Sequence, residues 1–268
     1  MVRSSEVISN IERKRILELL SQGKRLDGRG LKDYREIKVE RGVVEKAAGS
    51  ALVSVGGTKV ATGVKVEVGK PYPDRPEAGA LAVNVELTPL ASPTFEPGPP
   101  DKYSIELARV VDRGIRESKA IDLEKLCLVP GNKVLVVFVD VYVLNHCGNL
   151  FDASELASVL ALMGAKVAKY VVDKGGEVKA KAKRVPLPVR NYPVSVTMAR
   201  IGGDFVVDPS LDEEMVADAR ITVTTDKSGN VCAVQKGGVG VFSVDEVMEA
   251  VDIAVEKSGE LRRDVLGV

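Results

Sequence analysis

The stretch VLVVFVDVYVLNHCGNLFDASELASVLALMGAKVA, residues 134–168, decides the fold, because it joins a long apolar run to a glycine turn and a helical pattern. Residues 134–144 are almost wholly apolar and rich in β-branched side chains, which predicts a strand buried on both faces. After the turn 145–149, Asp152 with Glu155 three residues later predicts a helix that starts with a capping box.

The turn lacks the side chains of an anion site. A strand, a glycine turn and a helix start commonly hold an anion, since free backbone N–H groups and the helix dipole point at it. Residues 145–149 contain no Arg, Lys, Ser or Thr. The backbone frame of a phosphate site is therefore predicted without the side chains that would fix a phosphate.

The composition is that of a globular chain, with 268 residues, 45% hydrophobic residues and a formal net charge of zero. Any contact with nucleic acid would depend on a local basic cluster.

Cys127, Cys147 and Cys232 show no metal or redox spacing, so we expect buried free thiols in a reducing compartment, and a cytoplasmic protein. The charged N-terminus and the absence of an apolar run of about 18 residues predict neither a signal peptide nor a membrane span. His146, the one histidine, has no obvious catalytic partner nearby.

The rest of the pattern predicts a sheet, a helix, the strand and helix quoted above, a second sheet and a last helix. The first half is predicted to contain a helix at 5–22, a strand at 36–40, a hairpin of 51–55 with 59–68, and an antiparallel strand at 80–87. The second half is predicted to contain strands at 194–201, 205–207, 219–225 and 231–235, and a last helix capped by Ser243 and Glu246. An exposed basic hairpin or loop at 173–188 lies between them. Hairpins followed by a helix in both halves are consistent with an internal duplication.

A helix at 102–118, capped by Asp101, carries a row of arginines. Its predicted buried stripe is Ile105, Ala108, Val111 and Ile115. Arg109, Arg113 and Arg116 lie at i, i+4 and i+7 on another face, which matches a line of phosphates. The alternative is a solvated face on which the arginines pair with Glu106, Asp112 and Glu117. Spacing alone favours the solvated face.

Two further charged segments each allow two interpretations. Arg25, Asp27, Arg29 and Arg35 form a polar loop that is either held by salt bridges or functional. Five carboxylates fall within eleven residues: Asp208, Asp212, Glu213, Glu214 and Asp218. They could hold Mg²⁺ beside a phosphate substrate. We favour an acidic turn, with 212–214 at a helix N-terminus where negative charge is stabilising.

Five segments, in order along the chain, resemble the RNase PH family. They are RLDGRGLKDYREI (25–37), GSALVSVGGTKVATGVK (49–65), EPGPPDKYSIELARVVDRGIRESKAIDL (96–123), VDVYVLNHCGNLFDAS (139–154) and VVDPSLDEEMVAD (206–218). The similarity covers the chain after residue 24. Within the family, the chain is most similar to the non-catalytic ring subunits of the archaeal RNA exosome.

The resemblance implies an α+β, RNase PH-like (ribosomal protein S5 domain 2-like) fold, in which two similar βαβα-type halves have sheets flanking central helices. We divide the chain into an N-terminal helix (1–24), an N-terminal half (25–190) and a C-terminal half (191–268). In the family six such domains close into a ring. In the archaeal exosome three catalytic and three non-catalytic subunits alternate and RNA-binding cap subunits join them. The complex degrades single-stranded RNA from its 3′ end with inorganic phosphate.

Departures from the family pattern imply a subunit without catalytic residues, metal or cofactor. Catalytic relatives carry Gly-(Ser/Thr)-Arg where this chain has Gly148, Asn149 and Leu150. They also carry paired arginines where it has Lys102 and Tyr103. Both changes remove guanidinium groups that bind phosphate, and phosphorolysis requires phosphate held in line with the scissile bond.

The resemblance also gives the arginine row a role. Arg109 and Arg113 match residues that reach across the ring interface to RNA phosphates bound by the catalytic neighbour. We therefore predict RNA contacts for both, and add Arg116 from its place in the row. Asp212 and Asp218 match the family's catalytic carboxylate spacing, so an active Mg²⁺-dependent 3′–5′ exoribonuclease is the alternative. A scaffold that never touches RNA is a third hypothesis.

Overall fold

The computed structural model describes residues 10–173 and 177–268. The helices are α1 (Asn10–Leu20), α2 (Lys102–Glu117), α3 (Leu150–Gly164), α4 (Leu211–Val216) and α5 (Val244–Leu261). The strands are β1 (Ile37–Arg41), β2 (Gly49–Val55), β3 (Thr58–Gly69), β4 (Ala80–Leu87), β5 (Cys127–Val129), β6 (Lys133–Asn145), β7 (Lys166–Val172), β8 (Val178–Pro186), β9 (Val194–Ile201), β10 (Asp204–Val207), β11 (Ala219–Thr225) and β12 (Val231–Gly237). Within these ranges, no helix is long and apolar enough to cross a membrane.

The first sheet has the strand order β1-β2-β3-β6-β4, and β5 pairs with β6. The predicted hairpin is confirmed as β2 and β3, joined at Gly56, whose φ of +54° suits glycine. The prediction of an antiparallel strand at 80–87 is wrong, because β4 runs parallel to β6. The connection through α2 explains the direction, since a crossover helix returns the chain to the end of the sheet at which β4 begins.

Strand β6 is confirmed, but its predicted burial on both faces is wrong. Val137, Val139 and Val143 are each 0% exposed and pack in one core with residues of α2 and α3. Tyr142, on the opposite face, is 43% exposed. The apolar run therefore forms an alternating strand with one buried face, and its sequence could not show which face the helices cover.

The second sheet, in the order β10-β9-β11-β12, confirms the four predicted strands. Helix α5 packs on it and begins with the predicted capping box of Ser243 and Glu246. Helix α1 packs on the same half through Ile16 and Leu20, whereas Ile11 is 80% exposed. Residues 5–9 of the helix predicted at 5–22 lie outside the described residues.

The segment between the two sheets forms an exposed hairpin, β7 with β8. Strand β8 lies within the hairpin or loop predicted at 173–188, whereas β7 precedes that range, and the glycines at 175 and 176 lie outside the described residues. The three cysteines are free thiols, as expected. Their predicted burial is wrong, because all three are partly exposed.

Helix α3 is almost wholly buried between the two sheets. The predicted capping box of Asp152 and Glu155 is wrong, because Asn149 is the N-cap and its side chain accepts from the Asp152 backbone N–H. Asp152 is 0% exposed and its carboxylate accepts from Tyr34, Asn149 and Thr197. Burial raises its pKa to about 6. Glu155 is also 0% exposed, and neither of its oxygens has a hydrogen-bond partner within the described residues.

We expect the Glu155→Gln variant to resist unfolding at alkaline pH better than the wild type. Burial, with the nearby carboxylates Asp152 and Asp112, raises the pKa of Glu155 well above its usual value. A raised folded-state pKa stabilises the fold fully below the unfolded pKa, and that stabilisation is lost as the pH rises towards the folded pKa. Urea unfolding should be measured from pH 4.5, the usual pKa of glutamate, up to alkaline pH. Over this pH range we expect the free energy of unfolding to fall in the wild type and to fall less steeply in the variant. Identical slopes would contradict the assignment.

Candidate nucleic-acid interface

Helix α2 presents the arginine row because its opposite side is anchored. The Asp101 carboxylate caps the helix as predicted, accepting from the backbone N–H groups of Tyr103 and Ser104 at 3.2 and 2.9 Å. The buried side of the helix contains Leu107, Val110, Val111, Gly114 and Ile115. The predicted stripe is thus partly wrong, since Ile105 is 48% exposed and Ala108 only half-buried.

Arg109 and Arg113 keep their guanidinium groups available. Arg109 is exposed and has no hydrogen bond or ion pair within the described ranges. Arg113 is half-buried and donates through Nη1 to Oε1 of Gln235 on β12, at a long 3.5 Å. A bond of that length to a neutral amide competes weakly with a phosphate. Both side chains can therefore reach an external anion.

Arg116 is committed to partners within the chain. Its Nη2 lies 2.6 Å from Oδ1 of Asp112 and its Nε 2.9 Å from Oδ2, in a bidentate pair. Nη2 also donates to the Leu81 carbonyl oxygen at 3.2 Å. The hydrogen bond from Asp112 raises the pKa of Arg116. The alternative of a paired, solvated face thus describes Arg116, whereas Arg109 and Arg113 differ from it.

Arg220 of β11, in the C-terminal half, affects the arginine face of α2, although the sequence analysis did not identify it. Its Nη2 lies 2.6 Å from Oε1 of Glu106, and its guanidinium lies 4.0 Å from the ring centroid of Phe151. Glu106 was one of the expected partners of the row. Because Arg220 takes that carboxylate, α2 is tied to the second sheet and Arg109 loses a competing anion.

The turn before α3 already contains an anion from the chain itself. The backbone N–H of Asn149 donates to Oε1 of Glu214 at 2.8 Å. Gly148 has a φ of +94°, and a Cβ there would lie 2.5 Å from the backbone of Pro209 and Leu211. Leu150 is 1% exposed and points into the core. The helix N-terminus that the sequence offered to a phosphate is therefore neutralised by a carboxylate.

The predicted polar loop is held by salt bridges. Asp208 is 0% exposed, and its Oδ1 lies 2.7 Å from Nη2 of Arg35 while its Oδ2 lies 3.0 Å from Nη1 of Arg29. Asn149 donates to the same carboxylate through Nδ2 at 2.8 Å. Burial alone would raise the pKa of Asp208, but the hydrogen bonds and charge of Arg35 hold it below its usual value. Arg25 lies in a matching buried pair, with Nε 2.8 Å from Oε1 of Glu213.

The acidic cluster is thereby divided among structural roles. Asp208, Glu213 and Glu214 bind arginines or backbone N–H groups, which supports the acidic-turn interpretation. Asp212 is exposed, whereas Asp218 is half-buried and accepts from the Gly202 backbone N–H at 3.3 Å. In the ranges 10–173 and 177–268, no group of three His, Cys, Asp or Glu side chains is placed to hold a metal ion.

A cavity of about 510 Å³ lies where the start of α2 faces α4 and β11. Its charged and aromatic lining consists of Lys102, Tyr103, Glu106, Glu214, Asp218 and Arg220. Among the described residues, three carboxylates thus face one lysine and an arginine that is already paired with Glu106. Asp212 is not among the lining residues. The balance of charge opposes an inorganic phosphate.

Residues 33–168 match the model of the 3′ exoribonuclease family, domain 1 (RNase PH), and residues 191–257 match domain 2 of the same family. The chain belongs to the RNase PH family. The α+β, RNase PH-like fold implied by the resemblance is thereby confirmed.

Curated relatives of this RNase PH-family chain are similar over nearly their whole length. The exosome complex component Rrp42 of Thermococcus gammatolerans is 55% identical over 262 residues, which cover 97% of this chain and 96% of the relative. The protein of the same name from Pyrococcus horikoshii is 55% identical over 263 residues, covering 98% and 96%.

Solved structures agree with these relatives. A chain of the Archaeoglobus fulgidus exosome with RNA bound to the active site superposes with a TM-score of 0.86 at 48% identity, covering 95% of this chain and 97% of that one. A chain of an archaeal exosome core superposes with a TM-score of 0.83 at 44% identity, covering 95% and 96%. The RNase PH-family fold therefore extends over both halves of the chain.

Proposed function

We propose that this chain is a non-catalytic ring subunit of an archaeal-type exosome, a complex that degrades single-stranded RNA from the 3′ end. It alternates with a catalytic RNase PH-like subunit, three of each, beneath RNA-binding cap subunits. Similarity to exosome components over nearly the whole chain supports the complex. The cytoplasmic location belongs to the same proposal and rests on the free cysteines, which indicate a reducing compartment.

The observation that carries the non-catalytic assignment is the anion at the start of α3. A phosphate held for in-line attack needs positive charge around it. Here the Glu214 carboxylate accepts a hydrogen bond from the backbone N–H of Asn149. Leu150 is buried among apolar side chains, and Tyr103 contributes no charge. The retained Asp218 lies in a cavity that already carries two other carboxylates.

Within the ring, the chain holds RNA through Arg109 and Arg113. Their guanidinium groups lie on one face of α2 and are free of carboxylate partners in the described part of the chain. Phosphate contacts of this kind position a strand without reading its sequence. Arg116 supports the helix through Asp112 and is secondary in this role. A scaffold that never touches RNA would leave the RNA affinity of the ring independent of these arginines.

We expect the purified chain alone to leave a 5′-labelled oligoadenylate intact in the presence of inorganic phosphate and Mg²⁺. The reason is the missing positive charge at Leu150 and Tyr103. Adding a catalytic RNase PH-like exosome subunit should start shortening and release ADP. An Asp212→Ala, Asp218→Ala double variant, run in parallel, separates intrinsic activity from a contaminating nuclease. Shortening by the wild type that disappears in this variant would support the alternative enzyme.

A further inference from the structure

A basic groove lies away from α2, between the first sheet and the β7–β8 hairpin. Its volume is about 230 Å³. Four basic side chains line it, together with a partly buried tyrosine: Lys46, Lys65, Lys166, Arg184 and Tyr170. In the described part of the chain, no acidic residue lines the groove. For a chain of zero formal net charge, this is a local excess of positive charge.

Backbone hydrogen bonds hold the walls of the groove together. The Ala48 N–H donates to the Val64 carbonyl oxygen at 2.8 Å, and the Lys166 N–H donates to the Ala48 carbonyl oxygen at 2.8 Å. The segment that carries Lys46 is thus tied to β3 on one side and to β7 on the other. Lysines from separate elements are presented by a fixed main chain.

The hairpin register brings two of the cations together. In the ladder between β7 and β8, Ala168 lies opposite Arg184 and Lys166 opposite Pro186. Lys166 and Arg184 are therefore diagonal neighbours on one face of the hairpin. Tyr170 follows the register shift between Ala168 and Lys169 and lines the same groove.

Little within the chain neutralises these cations. Lys46, Lys166 and Arg184 are exposed and have no hydrogen-bonded or ion-paired side-chain partner among residues 10–173 and 177–268. Lys65 lies 2.7 Å from Oε1 of Glu67, but both side chains are more than half exposed, so the pair contributes little. The repulsion between these like charges decreases when an external polyanion binds in the groove.

We propose that this groove is a second RNA-binding site, which takes the sugar–phosphate backbone of single-stranded RNA and stacks a base on Tyr170. Cations that follow a groove beside an aromatic ring are the combination that binds single strands without sequence preference. The choice of RNA as the polyanion rests on the proposed function. The site itself is separate from Arg109 and Arg113, so the two can fail independently.

The test measures the binding of a fluorescein-labelled oligoadenylate by anisotropy, with the full chain and with the ring assembled with a catalytic subunit. We expect Lys166→Glu with Arg184→Glu to weaken binding of the full chain at least about tenfold, and to reduce the slope of log K against log salt by roughly 1.4, or 0.7 per lost phosphate contact. Tyr170→Ala should weaken binding while Tyr170→Phe retains it.

Lys24→Glu with Lys32→Glu makes the same change in net charge at exposed lysines outside the groove and is the matched control. Equal affinities of the groove variant and this control would overturn the proposal. So would a groove variant that fails to assemble with the catalytic subunit but binds RNA normally, because the groove would then be a protein interface. If Arg109→Glu with Arg113→Glu changes nothing while the groove variant loses affinity, the groove stands and the arginine-row role fails.

Discussion

Replacing Arg109 and Arg113 together by glutamate is expected to weaken RNA binding by the assembled ring at least about 100-fold, because hydrogen bonds to charged groups contribute about 1.5–3 kcal/mol each. Neither guanidinium has a carboxylate partner in the described structure that the change would leave unpaired. Glutamate is a good helix former, so α2 should persist. Affinity for labelled oligoadenylate and the rate of its phosphorolysis are the two measurements.

The salt dependence of RNA affinity is a second measurement in this experiment. Loss of two phosphate contacts should lower the slope of log K against log salt by roughly 1.4. Assembly of the ring, followed by size-exclusion chromatography, should be unchanged. The Lys24→Glu, Lys32→Glu control carries the same net charge and should bind RNA like the wild type. An unchanged affinity in an intact ring would favour the scaffold hypothesis.

The second large effect is expected at Asp208, whose replacement by alanine should lower the free energy of unfolding by about 3–5 kcal/mol, as removal of one partner from a buried ion pair does. The carboxylate is 0% exposed and joins Arg35, Arg29 and Asn149. Its loss leaves two largely buried guanidinium groups without their anion. Denaturant unfolding monitored by circular dichroism measures the change.

Acid should act at the same carboxylate. The folded-state pKa of Asp208 is held below the usual aspartate value of 3.8, so its stabilisation is present above that value and is lost as the pH falls through the folded pKa. Glu36→Ala removes an exposed pair with Lys38, at 3.0 Å, and should cost less than about 1 kcal/mol. If Asp208→Ala is no more destabilising than this control, the network does not hold the turn before α3.

The candidate site was only partly visible in the sequence. The spacing of the arginines on α2 predicted one face, but not that Asp112 takes Arg116 while Arg220 takes Glu106. Arg220 lies 114 residues from its partner in the sequence, beyond the reach of helical periodicity. The basic hairpin was recognised, whereas the groove it forms with Lys46 and Lys65 depends on packing against the first sheet. The domain boundaries at 24/25 and 190/191 stay predictions.

The sequence by itself determined the elements whose signals are local. The Gly56-Gly57 hairpin, the Asp101 cap, the Ser243 capping box and the strands of the second sheet follow from spacing and turn chemistry, and the family follows from ordered motifs. Only the tertiary structure decided that β4 runs parallel to β6, that one face of β6 is buried, and that Glu214 occupies the N-terminus of α3. These depend on contacts between residues far apart in the chain. No local sequence pattern predicts which carboxylate accepts from a given backbone N–H group, because the pairing depends on how the two halves pack around α3.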